Sequence, residues 1–261
     1  ETQTFSFLRD SFDSLECEDL DIVVHLSALV HQMGGASKEE YARVNVMQTL
    51  RLAQKAKESG VGHFVFMSSV KVYGEESDGV YTEMSPCLPE DEYGKSKLKA
   101  ELELQKLEDE NFQVSIVRTP IVYGYGVKAN IKSLVNLVNK VPLLPFGSIK
   151  NKRSMVYVGN LCHLVDEVIH QKASGVFLAS DDAPLSTTKL IELIGNALGK
   201  RVYLVRVPFF ESLLKLLKPS FQKRLYGSLE VDNAMTRERL NLKNRYGVED
   251  GIRLMIKGEN V

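Results

Sequence analysis

The sequence predicts an α/β protein with a parallel, doubly wound sheet and a smaller C-terminal lobe. Continuous apolar segments of strand length recur along the chain, and longer segments with helical periodicity lie between them. Such alternation of strand and helix is typical of parallel sheets with helices on both faces. Glycine and proline become denser after residue 121, and helical patterns dominate after residue 186, which indicates the second lobe.

Strands are predicted where apolar runs are unbroken, because a strand buried on both faces has no polar alternation. These runs are "DIVVHL" from 21 to 26, "HFVFMSS" from 63 to 69, "VSIVRT" from 114 to 119 and "GVFLAS" from 175 to 180, with a further short strand at 4–8. Helices are predicted over 38–60, closed by Gly60, and over 94–111. We expect the sheet domain to comprise residues 1–120 and 154–182, and the smaller lobe residues 121–153 and 183–261.

The segment 209–225 is both apolar and basic. This composition raises the hypothesis of docking on a membrane surface. The alternative is a helix of the small lobe that packs inward and leaves its lysines and its arginine in solvent. We favour the alternative.

Composition argues against several classes of protein. The chain has 261 residues, of which 44% are hydrophobic, and a net charge of -1, so it can bury a core and has no basic surplus for nucleic acid. Cys17, Cys87 and Cys162 are far apart, so neither a disulfide framework nor a zinc site is predicted. No apolar run approaches the roughly 18 residues of a membrane-spanning helix. We expect a cytoplasmic protein that binds no metal and no nucleic acid.

Tyr93, Lys97 and Ser69 form a candidate catalytic group. Tyr93 and Lys97 stand four residues apart at the start of the second predicted helix, so their side chains share one face. An ammonium beside a phenol favours the phenolate, which lowers the pKa of the tyrosine and suits it to proton transfer. Ser69 ends a predicted strand, and ligands bind at the carboxyl ends of parallel strands. On residue types alone, purely structural roles for all three stay open.

Four segments in order resemble the extended short-chain dehydrogenase/reductase family, in particular its UDP-glucose 4-epimerase-like members. They are "HFVFMSSVKVYG", "EYGKSKLKAE", "VSIVRTPIVYGYG" and "RSMVYVGNL", and the likeness covers residues 5–255. The resemblance implies a Rossmann-type domain that binds NAD or NADP, and hydride transfer at C4 of a UDP-hexose. It also implies a homodimer formed by the two long helices of each subunit.

The resemblance assigns roles residue by residue. Tyr93 becomes the acid/base, Lys97 binds the nicotinamide ribose and tunes Tyr93, and Ser69 bonds the reacting sugar oxygen. The implied cofactor-binding residues are Leu26, Ser27, Ala28, Asn45, Met67, Ser68, Tyr93, Lys97 and Pro120. The implied substrate-binding residues are Ser69, Lys71, Tyr93, Asn130, Phe146 and Arg153. Of these, Asn130 and Arg153 would hold the diphosphate, and Phe146 would lie against the uracil. An arginine fork suits phosphate oxygens independently of the resemblance, although a surface role for Arg153 stays open.

The sequence departs from the family in two places. The Gly-x-x-Gly-x-x-Gly turn that receives the pyrophosphate at a helix N-terminus is not in this sequence, so we expect that an N-terminal βαβ unit of roughly forty residues is missing. The run "RTPIVYG" has Pro120 and Ile121 where epimerases carry Phe and Asn. This run and its neighbours look closer to bacterial enzymes that reduce UDP-4-keto-6-deoxy-N-acetylhexosamines in surface-polysaccharide synthesis.

Three functions stay open at this point. We favour a 4-ketoreductase of such a UDP-sugar over a 4-epimerase of UDP-glucose or UDP-N-acetylglucosamine. The third is a non-catalytic nucleotide-binding scaffold, which the missing glycine turn supports. A relative that binds RNA is disfavoured by the near-neutral charge.

Overall fold

The structure is a computed structural model that describes residues 10–30 and 36–258. Its strands are β1 (Ile22–His25), β2 (His63–Ser69), β3 (Val80–Tyr81), β4 (Gln113–Thr119), β5 (Ile121–Tyr123), β6 (Leu143–Leu144), β7 (Met155–Tyr157), β8 (Gly175–Leu178), β9 (Tyr203–Leu204) and β10 (Glu230–Val231). Its helices are α1 (Lys38–Tyr41), α2 (Thr49–Glu58), α3 (Glu92–Gln105), α4 (Ala129–Lys140), α5 (Val158–His170), α6 (Thr187–Ala197), α7 (Phe210–Leu217), α8 (Pro219–Tyr226), α9 (Ala234–Leu240) and α10 (Val248–Lys257). The strand predicted at 4–8 lies outside the described residues.

The chain divides into two compact units, and the first contains the main sheet. This unit comprises the described parts of Glu1–Glu75, together with Glu83–Thr119 and Val165–Leu178. Its four strands are all parallel and lie in the order β1-β2-β4-β8. They coincide with the four apolar runs predicted as buried strands, and β2 and β4 are buried along nearly their whole length.

The two helices predicted for this unit are present, but the first is not regular. A π-helical segment, Ala42–Gln48, joins α1 to α2, so one continuous helix changes its winding in the middle. Ser37 caps α1 and exchanges hydrogen bonds with Glu40, which explains where the helix begins. The second predicted helix is α3, which begins after its N-cap Asp91. Both helices contribute apolar side chains to the core beneath the sheet, including Ala53 and Leu104.

The second unit is built mainly from helices and short strand pairs. It comprises Glu76–Thr82, Pro120–Leu164 and the described part of Ala179–Val261. Three parallel pairs occur in it, β3 with β10, β5 with β7 and β6 with β9. Its core contains Ile191 and Ile194 of α6 together with Tyr123 and Tyr157. The proposed division into a cofactor-binding domain and a substrate-binding lobe stays a prediction.

The expected inward packing of the segment 209–225 is wrong for much of that segment. It forms two helices, α7 and α8, because Pro219 begins a new helix. Phe210 and Leu214 pack against the core of the second unit, whereas Phe209 and Leu216 are exposed. Hydrophobic periodicity predicts a helix but does not show how much of its apolar arc is covered. Across the two described ranges, no helix has the length and apolar character that crossing a bilayer requires.

Candidate active site

The structure brings the hydroxyl groups of Ser69 and Tyr93 together in the first unit. Ser69 is the last residue of β2, and Tyr93 is the second residue of α3. The two side chains lie close enough for Ser69 to lower the pKa of the Tyr93 phenol. Gly94 makes this approach possible, because a Cβ at that position would lie 2.6 Å from the carbonyl oxygen of Lys71. The start of α3 therefore packs directly against the backbone that follows β2.

The expected lowering of the tyrosine pKa is wrong in direction. Burial raises the pKa of Tyr93 above its ordinary value. The Ser69 hydroxyl and the positive charge of Lys71 lower the pKa of Tyr93 but do not outweigh the burial. Tyr93 is therefore a protonated phenol at neutral pH in this structure.

Lys97 is a buried cation below the end of β2. Only 2% of its surface is exposed, and its Nζ donates to the carbonyl oxygen of Met67 over 2.7 Å. The same nitrogen lies 4.3 Å from the centre of the Phe66 ring. Burial lowers the pKa of Lys97 to about 8, against the opposing effect of Glu101. An ammonium has three N–H donors, so the nitrogen fits the bonding of ribose hydroxyls beside the bond to Met67.

Lys71, predicted to bind substrate, is held by two carboxylates. Its Nζ lies 2.6 Å from Glu75 and 2.7 Å from Asp91, and its backbone N–H points at the Ser69 hydroxyl over 3.3 Å. Burial alone would lower the pKa of Lys71, but the hydrogen bonds that its ammonium donates to Asp91 and Glu75 raise it. Asp91 also accepts the Gly94 N–H over 2.7 Å as the N-cap of α3. Sequence reasoning missed both carboxylates, although the N-cap position of Asp91 was a usable signal.

Asn45 joins the loop after β1 to the start of α3. Its side chain is fully buried in the π-helical segment. Its Oδ1 atom accepts a hydrogen bond from the Leu29 N–H, with an N–O distance of 2.7 Å. Its Nδ2 atom donates to the Leu29 carbonyl oxygen and to the Ser96 Oγ atom, both at 2.9 Å. The loop so held includes Leu26, Ser27 and Ala28, of which the first two are exposed. This loop leaves the carboxyl end of a parallel strand, so its backbone fits the predicted cofactor contact.

A buried ion pair lies behind these residues. The Nη2 atom of Arg118, in β4, lies 2.6 Å from Oε2 of Glu101, in α3. Nη1 of Arg118 also donates to the Tyr73 hydroxyl at 2.7 Å. The Ser68 hydroxyl donates to Glu101, and the predicted contact of Ser68 with the cofactor stays a prediction. The pair was not predicted, because its members stand 17 residues apart and belong to no recognisable spacing.

The remaining predicted residues belong to the second unit. Phe146 is only 5% exposed and its ring lies 6.0 Å from that of Phe210, so it is part of the core of that unit. Arg153 donates to the carbonyl oxygens of Gly227 and Lys223 at the end of α8. The other two are Asn130, which is exposed and contacts Arg224, and Pro120, which is buried. Their roles toward a nucleotide stay predictions.

Comparison with known proteins gives a consistent result. A sequence profile of the "NAD dependent epimerase/dehydratase family" matches residues 8–178. The chain is 40% identical over 253 residues to a UDP-glucose 4-epimerase of Vibrio cholerae, covering 92% of this chain and 76% of that protein.

Solved structures agree on the fold. The crystal structure of UDP-glucuronic acid 4-epimerase from Bacillus cereus in complex with NAD has a TM-score of 0.77 at 19% identity, covering 97% of this chain and 78% of that one. MoeE5 in complex with UDP-glucose and NAD has a TM-score of 0.73 at 22% identity, covering 95% and 83%. At these identities the likeness concerns the fold, and it confirms the predicted Rossmann-type α/β architecture.

The resemblance found in four sequence segments is thereby confirmed, and the expected dependence on NAD is confirmed for the family. The matched profile spans well over half of the chain. The 40% identity to the Vibrio protein is high enough to establish common ancestry. The chain therefore belongs to the NAD dependent epimerase/dehydratase family.

Proposed function

We propose that this chain catalyses epimerisation at C4 of a UDP-hexose, by oxidation and re-reduction of that carbon. The observation that carries the proposal is the proximity of Ser69, at the end of β2, to Tyr93 at the start of α3, with the buried Lys97 one helical turn further along α3. The Vibrio relative named UDP-glucose 4-epimerase supports the choice of reaction. We also propose that the activity serves surface-polysaccharide synthesis in the cytoplasm.

Each residue has a defined task in this proposal. The side chains of Ser69 and Tyr93 hold the oxygen on C4. The phenolate form of Tyr93, which the positive charge of Lys71 favours, takes the proton of that hydroxyl and later returns it. NAD, when bound, supplies the acceptor and donor of the hydride. Lys97 holds the ribose hydroxyls, and the loop fixed by Asn45 lies along the cofactor. The residues named here fit the nicotinamide half of the cofactor, whereas no glycine-rich turn for its pyrophosphate stands in this sequence.

A second candidate is reduction of a UDP-4-keto-6-deoxy-N-acetylhexosamine. Two observations favour it. The raised pKa keeps a proton on Tyr93 at neutral pH, which suits a donor to a ketone oxygen. Pro120 and Ile121 also replace the Phe and Asn of epimerases.

The cofactor balance separates these reactions. An epimerase should interconvert UDP-sugars without net change in reduced-cofactor absorbance, whereas a reductase should consume NADH or NADPH in proportion to the 4-keto sugar added. Binding of UDP without either reaction would favour the scaffold alternative and would contradict both enzymatic proposals.

Replacement of the tyrosine tests the catalytic assignment. We expect Tyr93→Phe to lower turnover by about 10²–10⁴-fold, because the proton donor and acceptor is lost. UDP binding, measured by calorimetry, should stay unchanged. Tyr203→Phe is the matched control, since the Tyr203 side chain is exposed. An unchanged rate in the Tyr93 variant would exclude the assignment.

A further inference from the structure

An exposed apolar surface surrounds α7 in the second unit. Phe209 is 86% exposed and Leu216 80% exposed, and other large apolar side chains lie uncovered in the same segment. We call this set the α7 surface; its members are Val205, Val207, Phe209, Leu213, Leu216, Leu217 and Phe221. Single exposed apolar residues are normal, but a concentration of them in one short segment is typical of an interaction site.

The helical spacing explains how this surface arises. Leu213 and Leu216 stand three residues apart and share one side of α7, and Phe209 is the N-cap of this helix. Phe210 and Leu214 lie on the adjoining side and pack against the core of the second unit. The apolar arc of the helix is therefore wider than the core that covers it, and the remainder faces outward.

The backbone presents one member of the surface in an unusual way. Phe209 has φ +59°, in the left-handed region that bulky residues rarely adopt. This conformation is unfavourable for a bulky residue. Phe209 is the most exposed phenylalanine of the α7 surface, and it directly precedes the first turn of α7. Strain of this kind is found where the position of a side chain serves a function.

Charge around the α7 surface has one dominant sign. The chain as a whole has a net charge of -1, but residues 205–224 contain five basic residues and a single acidic one, Glu211. The five are all exposed, and they are Arg206, Lys215, Lys218, Lys223 and Arg224. Apolar side chains bordered by lysine and arginine are the pattern of helices that lie in the interface of an anionic bilayer.

We propose that the α7 surface docks on an anionic phospholipid membrane, with the phenylalanines and leucines in the acyl boundary and the basic residues at the headgroups. The charge complementarity decides the occupant, because a zwitterionic or neutral partner would gain nothing from five cations. The attachment is peripheral. This proposal is independent of the proposed catalytic activity.

Vesicle flotation tests the proposal. The purified protein is mixed with vesicles of phosphatidylcholine alone or of phosphatidylcholine with roughly one third phosphatidylglycerol. We expect flotation with the anionic vesicles, much less with the neutral ones, and a decline as salt is raised, because salt screens the headgroup charge.

Paired variants locate the surface. Phe209→Ser/Leu216→Ser should weaken partitioning by about tenfold or more, because two large apolar side chains no longer enter the bilayer. Leu88→Ser is the control, since Leu88 is 72% exposed and lies in the other unit. Lys215→Glu/Lys218→Glu should also abolish flotation, whereas Lys99→Glu, which changes an exposed lysine of α3, should not. Circular dichroism and urea unfolding establish that each variant is folded.

Three results would overturn the proposal. The first is that the wild-type protein floats with neither kind of vesicle at low salt. The second is equal flotation of the Phe209→Ser/Leu216→Ser variant and of the wild type. The third is absence of flotation together with a dimer that the same variant converts to a monomer, because the surface would then be an interface between two copies of this chain.

Discussion

At the scale of single residues, Lys71 adjusts the acidity of Tyr93. Tyr93 is influenced by Ser69, by Lys71, by Asp91 and by Tyr41, and Lys71 is the cation among them. Lys71 is itself fixed by Asp91, so its charge cannot swing away from the phenol. The structure therefore assigns Lys71, which precedes α3, to the electrostatics of the site, in addition to Lys97 of α3.

Removing this charge should change the tyrosine in a predictable direction. We expect Lys71→Met to raise the pKa of Tyr93 further, because burial is then opposed by less positive charge. A spectroscopic titration of the phenolate, with Tyr93→Phe as the blank, measures this pKa. Lys95→Met is the control, since Lys95 pairs with Glu92 at the surface. A pKa that falls or stays constant in the Lys71 variant would contradict the assignment.

His25 makes the folded state sensitive to acid. Burial, with a contribution from the charge of Lys97, lowers its pKa to about 4, whereas an unfolded histidine titrates near 6.5. Between about pH 6.5 and pH 4, the unfolded chain binds a proton on His25 that the folded chain does not bind. The contribution of His25 to the free energy of unfolding is therefore complete above about pH 6.5 and declines toward pH 4. The loss is on the order of 3 kcal/mol.

A variant isolates this histidine from the other acid-sensitive groups. In His25→Gln the free energy of unfolding, measured in urea, should change less between pH 7 and pH 4 than in the wild type. His170→Gln serves as the control because the His170 side chain is exposed. Equal pH dependence in the His25 variant and the wild type would show that folding does not lower the pKa of His25.

At the scale of elements, the Glu101–Arg118 pair ties α3 to β4. Both side chains are almost completely buried. Arg118→Leu leaves the Glu101 carboxylate without its cation, so we expect the free energy of unfolding to fall by about 3–5 kcal/mol. The double variant Arg118→Leu/Glu101→Leu should recover much of this loss, because no unpaired charge remains buried.

Urea unfolding measures both variants, and a surface pair provides the comparison. Lys106 and Glu103 also form an ion pair but are far more exposed, so Lys106→Ala should cost about 1 kcal/mol or less. If the single and double variants at Arg118 were equally unstable, the unpaired carboxylate would not be the cause.

The elements differ in how far the sequence predicts them. The four strands of the main sheet were predictable because their apolar runs are unbroken and short. The spacing of Tyr93 and Lys97 likewise placed both on α3, and Ser69 at the end of β2. The ties of Lys71 to Asp91 and of Glu101 to Arg118 were not predictable, because only the folded backbone brings these residues together.

At the scale of the whole molecule, the predicted homodimer can be tested. The expected interface uses the long helices, and two of their apolar side chains are exposed, Met47 at 53% and Leu102 at 51%. We expect light scattering to show a dimer that Leu102→Arg converts to a monomer, because the change places a charge in an apolar contact. Leu88→Arg should leave the mass unchanged. A wild-type protein that is monomeric at all concentrations would contradict the prediction.

The contact between Asn45 and Leu29 has a consequence for how the molecule opens. The side-chain amide of Asn45 presents an N–H donor and an oxygen acceptor on one edge, so Asn45 pairs with both backbone groups of Leu29 as a residue of an adjacent strand would. Solvent deuterium reaches the Leu29 nitrogen only when that pair separates. A single loop amide thus reports on separation of this loop from Asn45, and its slow isotope uptake would distinguish a closed loop from an open one.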